Sequence, residues 1–161
     1  MENDQKKYTC CFTGHRPEKL LSPESVIRSR LAEEIKNASD RGYRTFISGM
    51  ARGFDIWAAE AVIAAKAKNP SLKLICAVPH PGFEKKRSFY EKYAYQRIID
   101  RADEVHLVSE WYFAGCYQVR NRWMVDRSSL VIAGYSGVPS GTRNTILYAG
   151  ESAVPVINIL R

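Results

Sequence analysis

The chain has 161 residues, 24 Lys and Arg against 17 Asp and Glu for a formal net charge of +7, and is 45% hydrophobic with 4 Cys, 10 Gly and 7 Pro. At this length folding withdraws roughly 70% of the unfolded surface from water, which excludes wholesale disorder and predicts one domain over residues 1–161 that stands without disulfides or a structural metal. The longest apolar runs fall short of the roughly 18 residues a membrane span needs, and the polar start, residues 1–7, is no signal peptide, so the expectation is a soluble cytoplasmic protein with no membrane partner. Cys10 and Cys11 are adjacent, Cys76 sits in an apolar run and Cys116 in a loop. No spacing suits zinc or a redox pair, and buried thiols are the expectation. The positive balance asks for an anionic partner, and because the charges are scattered a phosphate-bearing small molecule fits as well as nucleic acid.

In chain order, nearly continuous apolar runs at residues 8–12, 45–47, 72–78, 105–108, 130–133 and 154–160 read as strands buried on both faces. Helical patterns fill the gaps. The first carries the stripe Ile27, Leu31, Ile35, Ala38 after Ser22-Pro23-Glu24 and stops at Gly42. A second, residues 55–68, is apolar almost all round and should be central. A third spans 86–102 with Tyr90, Tyr93, Ala94 and Ile98 inward; a fourth spans 118–127 around Val119 and Trp123; a fifth spans 142–151. The alternation predicts an α/β fold, a Rossmann-like three-layer αβα sandwich with a mainly parallel sheet of about six strands. Ligands of such sheets settle at the carboxyl ends of the strands.

The first strand ends in Thr13-Gly14-His15-Arg16-Pro17, where Gly14 would let a ligand approach the backbone and Arg16 and His15 would offer donors. A tight turn with a solvated Arg is the plainer account. After the second strand, Ser48-Gly49-Met50-Ala51-Arg52-Gly53-Phe54-Asp55 leads straight into a helix and reads as a phosphate cradle, without the Gly-Lys-Ser/Thr ending of a triphosphate loop. Asp55 is either a helix cap or an acceptor for a ribose hydroxyl, and Arg52 either a phosphate ligand or an ion-pair partner. The third strand is followed by His80-Pro81-Gly82-Phe83 and by Lys85-Lys86-Arg87, whose charge opposes the dipole of the following helix and reads as solvated. Residues 109–122 mix aromatics with Arg and Asn, suited to stacking a base near Tyr117, Asn121 and Arg122, or to a plain lid on the core. The fifth strand leads through Gly137 into Ser140-Gly141-Thr142, a second helix start able to present donors to an oxyanion. No GxGxxG fingerprint, Ser-His-Asp triad or spaced acidic pair appears.

Taken together, the segments 13–17, 48–55, 120–126 (Arg120-Asn121-Arg122-Trp123-Met124-Val125-Asp126) and 140–145 (Ser140-Gly141-Thr142-Arg143-Asn144-Thr145) resemble the SLOG superfamily, named for the Smf/DNA-processing protein A and Lonely Guy groups, and most closely its YpsA-like bacterial branch. The resemblance implies a Rossmann-like sheet with a nucleotide pocket lined by the glycine-rich loops, and no particular reaction. Lonely Guy enzymes remove ribose phosphate from cytokinin nucleotides, and their pattern places a catalytic Glu where this chain has Thr145. A threonine cannot act as that carboxylate. DNA-processing protein A binds single-stranded DNA, and its glycine-rich loop is similar to residues 48–55. The leading expectation is therefore binding or sensing of a nucleotide, ADP-ribose or NAD-like molecule. Nucleotide-derivative hydrolysis and single-stranded nucleic-acid binding are the alternatives, and a homo-oligomer is left open.

Overall fold

Strands with both faces covered form the centre of the molecule. The structure, a computed structural model, describes residues 2–160; Met1, at the head of the polar start, lies outside them. Six strands, β1 (Thr9–Gly14), β2 (Thr45–Ser48), β3 (Lys73–Val78), β4 (Glu104–Leu107), β5 (Leu130–Gly134) and β6 (Val156–Asn158), pair in the order β4-β3-β2-β1-β5-β6. Every pairing is parallel. Alternation along β1 sends Cys10 and Phe12 to one core and Cys11 to the other. The first core takes α2 (Glu24–Asp40), α3 (Phe54–Lys68) and α4 (Phe89–Arg101); the second takes α5 (Cys116–Asp126) and α6 (Gly141–Glu151). This is a three-layer Rossmann-like sandwich.

The chain runs outward from β1 to β4, then crosses to β5 on the other side of β1. Its topological switch point thus lies between β1 and β5, where Gly14 pairs with Gly134. Neither glycine faces open space. A Cβ on either would fall inside the ring of Phe54, the first residue of α3, which is fully buried. Gly14 therefore seats an aromatic side chain of the protein itself, and the expected approach of a ligand to that backbone is corrected.

Other expectations also shift. The start of the chain forms a short helix, α1 (Glu2–Lys7), that the pattern did not indicate. Helix α4 begins at Phe89, not near residue 86, because Ser88 and Glu91 form a reciprocal capping box. Its inward residues are Tyr95 and Ile98, while Tyr90 and Tyr93 stand 84% and 60% exposed. Helix α5 starts at Cys116, behind Gly115 in the left-handed region, and turns Val119 outward while burying Arg120, Asn121, Met124 and Val125. β4 is an edge strand with Val105 and Leu107 about half exposed, and so not buried on both faces. All four cysteines are free and buried, as expected.

Because the Phe54 ring fills the crease above Gly134, Gly134→Ala should destabilise the fold by about 1–3 kcal/mol through overpacking. A urea midpoint lowered at unchanged slope is the expected reading, and adding Phe54→Leu should restore part of it. An unchanged midpoint would contradict the packing.

Candidate functional site

Consider first the loop after β2. Ser48 Oγ accepts from the Met50 amide at 3.2 Å and donates to the Asp55 carbonyl at 2.9 Å. The Ala51 amide donates to Asp55 Oδ2 at 3.2 Å, and the Phe54 amide to the His15 carbonyl at 3.4 Å. An internal carboxylate thus occupies the start of α3, where the dipole favours an anion. The amides of Met50, Ala51 and Phe54 are thus taken up internally, which narrows the reading of residues 48–55 as an open phosphate cradle. Asp55 is not the cap of α3; Gly53 is, against Pro17. Met50 is buried with a positive φ of 64° and is held there by Arg87, whose Nη2 donates to its carbonyl at 2.6 Å.

Beneath this loop lies Arg120, only 5% exposed. Its guanidinium donates to the carbonyls of Gly49 and Ala77, and its Nε to Asn121 Oδ1 at 2.8 Å. A side chain on Gly49 would collide with it. Burial lowers the Arg120 pKa, and the negative charge of Asp55 opposes that shift. Asp55 is itself pushed up to about 6, first by burial, with the charge of Arg120, the Ala51 amide and the charge of Arg87 acting against it. Asp55 Oδ1 and Arg87 Nη1 are buried with no protein partner among the described residues.

Above this floor opens a cavity of about 570 Å³ at the carboxyl ends of the strands, within the size range of small-molecule sites. Arg16, Arg52, Lys85, Lys86 and Arg87 line it, with His80, Phe83, Tyr112 and Tyr117. Among the described residues no carboxylate does. The His80 ring lies 5.2 Å from Tyr112, 5.8 Å from Phe83 and 5.9 Å from Tyr117, forming an aromatic wall. Arg87 stacks on Phe83 at 4.8 Å and Tyr95 at 5.1 Å. Arg52 is clamped by Glu91 at 2.7 Å and Glu18 at 3.0 Å. That pairing holds the Glu91 carboxyl down at about 2 and raises the Arg52 pKa. Of the two readings of Arg52, the structure shows the ion pair.

A second polar cluster stands across β1. The buried His15 donates its amide to the Gly134 carbonyl, sets Nδ1 3.3 Å from Ser140 Oγ, and leaves Nε2 without a protein partner. Burial lowers its pKa, which favours the neutral ring. Ser140 caps α6, accepting from the Arg143 amide, and Gly137 and Gly141 face open space. Thr142 is buried beside this start. Thr145 Oγ1 donates to the Gly141 carbonyl at 2.9 Å and is internal to the helix.

The residues selected from sequence therefore separate into three groups. Arg16, Arg52 and Tyr117 meet in the cavity; His15, Gly137, Ser140, Gly141 and Thr142 gather at the start of α6; Ser48, Gly49, Met50, Gly53, Asp55 and Asn121 form the support beneath. Arg122 joins none of them. It is exposed, with its guanidinium 4.9 Å from the Tyr148 ring on α6. Arg120, two positions back, points inward instead. Sequence reasoning also missed Arg87, read as solvated but half-buried against Phe83 and Tyr95. Its signal was the Ser88-x-x-Glu91 capping box, which places Arg87 in a loop rather than on a helix. A larger hollow of about 950 Å³ lies at the amino ends of the strands, lined by charges of both signs, including Lys6, Arg44, Asp103 and Asp126, and away from the loops described.

Fold and loops together define a Rossmann-like domain with a cationic, aromatic-walled cavity on the carboxyl side of its sheet. The chain matches the YspA SLOG family over residues 10–149 and belongs to it. It is 35% identical to the uncharacterized SPbeta prophage-derived protein YoqJ of Bacillus subtilis, over 84% of this chain and 80% of that protein. It is 25% identical to the UPF0398 protein SERP1017 of Staphylococcus epidermidis, over 68% of this chain and 59% of that protein. Among solved structures, DNA processing protein A from Helicobacter pylori superposes with a TM-score of 0.66 at 18% identity, covering 96% of this chain and 66% of that one.

Asp55 sets a test of the floor. Its folded pKa of about 6 lies above the unfolded value of about 3.9. Between these values the folded state holds the extra proton, so stability falls as pH rises from about 4 to about 6 and is level above that. The difference in unfolding free energy between Asp55→Asn and the native chain should therefore shift in favour of the variant across this window. A constant difference from pH 4 to 8 would contradict the buried, raised carboxyl.

Proposed function

We infer that the cavity binds a nucleotide or nucleotide-derived molecule, its phosphates on the cationic side and its base against His80, Phe83, Tyr112 and Tyr117. One observation carries this reading: among the described residues, five cationic side chains and four aromatic rings line one cavity at the carboxyl ends of the strands, and no carboxylate does. Such a surface suits an anion joined to a flat ring. The start of α6, with the open Gly141 and a His15 Nε2 that has no partner among the described residues, supports a further oxyanion position across β1 from the cavity. Membership of the SLOG family accords with this role and assigns no reaction.

Titration calorimetry with nucleoside phosphates, ADP-ribose and NAD tests the reading. At least one should bind, and Arg16→Ala and Tyr117→Ala should each weaken it about tenfold by removing a charge or a stacking face. No heat at millimolar ligand with a folded protein would overturn it.

Single-stranded nucleic acid is a second reading. The Helicobacter pylori structure described above is reported with a single-stranded DNA binding mode. In this chain α4 exposes Phe89, Tyr90 and Tyr93 at 80%, 84% and 60%, beside Lys92 and next to the cavity-lining Lys86. Bases stack on such rings while cations hold the backbone. Anisotropy of a labelled oligothymidylate should then rise with protein, fall steeply with salt, and weaken in Tyr90→Ala/Tyr93→Ala. Affinity indifferent to that double variant would exclude the α4 face.

A further inference from the structure

The cations that line the cavity differ in whether a carboxylate already faces them. Arg52 already has two carboxylate partners, Glu18 and Glu91. Among the described residues no carboxylate oxygen comes within 4.0 Å of the cationic nitrogens of Arg16, Lys85, Lys86 or Arg87. Asp55, Glu91 and Glu84 act on Arg87 only at longer range, and its buried Nη1 has no partner. Positive charge immediately before α4 also opposes that helix dipole.

Placement of these groups is not loose. Gly82, with a φ of +77°, turns the loop after β3, and the Lys85 amide donates to its carbonyl at 3.0 Å. The Lys85 stem lies over Gly82, and the Arg87 amide donates to the Glu84 carbonyl at 3.1 Å. The loop thus holds Lys85, Lys86 and Arg87 at the mouth, which Arg16 also lines from the end of β1. A phosphate monoester brings about −1.5 to −2 charges, and each linked phosphate adds roughly one more. One phosphate leaves about half of the four unpaired cations uncompensated; two or three linked phosphates match them.

Resting on the reading of this cavity as a nucleotide site, the geometry points to a ligand with two or more linked phosphates and a free terminal phosphate: the cavity selects nucleoside di- or triphosphates over nucleoside monophosphates. Lys85 and Lys86 set the preference by engaging the outer phosphates. Arg16 and Arg87 hold the phosphate nearest the aromatic wall.

Calorimetry in metal-free buffer with the 5′-mono-, di- and triphosphates of adenosine and uridine, and with inorganic tripolyphosphate, tests this. Di- and triphosphates should bind at least about tenfold more tightly than monophosphates of the same base, and in Lys85→Gln/Lys86→Gln that ratio should shrink to about threefold or less. A monophosphate binding as tightly as its triphosphate overturns the phosphate preference and leaves the nucleotide site standing. Absence of binding by every nucleotide overturns the nucleotide site itself. Tripolyphosphate binding as tightly as the nucleoside triphosphates supports the phosphate count and overturns base recognition by the aromatic wall.

Discussion

Arg120 carries a charge into the interior beneath the carboxyl ends of β2 and β3, and the site is arranged around that fact. A buried guanidinium is tolerable only when its donors are taken up and an opposite charge stands near. Here the carbonyls of Gly49 and Ala77 and the side chain of Asn121 accept from it, and Asp55 supplies the charge. Each partner comes from a different segment, so one side chain fixes the β2 loop, the end of β3 and the start of α3 relative to α5. Losing it would leave two carbonyls and a raised carboxyl buried without their main partner.

That arrangement explains a division between loops that look alike in sequence. In the glycine-rich stretch after β2 the amides of Met50, Ala51 and Phe54 go to Ser48, Asp55 and His15, and the carbonyls of Met50 and Gly49 to Arg87 and Arg120. It is a support. The cavity is lined by side chains of the loops after β1, β3 and β4 together with Ala51 and Arg52, and the start of α6 stands open. Phe54 fills the switch-point crease at Gly14 and Gly134, where ligands of such sheets usually sit, and the cavity lies instead toward β2 and β3.

Most of the fold was legible because parallel buried strands and amphipathic helices leave period-specific patterns. The family was legible too, since its four segments lie at strand ends and helix starts. Failures cluster where helical phase or tertiary contact decides. Choosing Arg122 over Arg120 is a two-residue difference, which on a helix turns a side chain by about 200°. Tyr90 and Tyr93 were read inward from composition, although the Ser88-x-x-Glu91 signal already set the helix start. Gly14 and Gly49 read as ligand-approach glycines because sequence cannot say what a missing Cβ would meet; here the answers are Phe54 and Arg120. Arg52 had two open readings, and only the fold could bring Glu18 and Glu91 to it.

The central claim is that a ligand enters the cationic, aromatic-walled cavity above a floor locked by Arg120. Amide chemical-shift mapping of isotope-labelled protein during titration with a nucleoside triphosphate tests it most directly. The account predicts the largest shifts at Arg16, Arg52, residues 82–87 and Tyr117, with Ser48 and Met50 moving little. Shifts concentrated instead at Thr9, Arg44, Lys73 and Asp126, around the hollow at the amino ends of the strands, would contradict it.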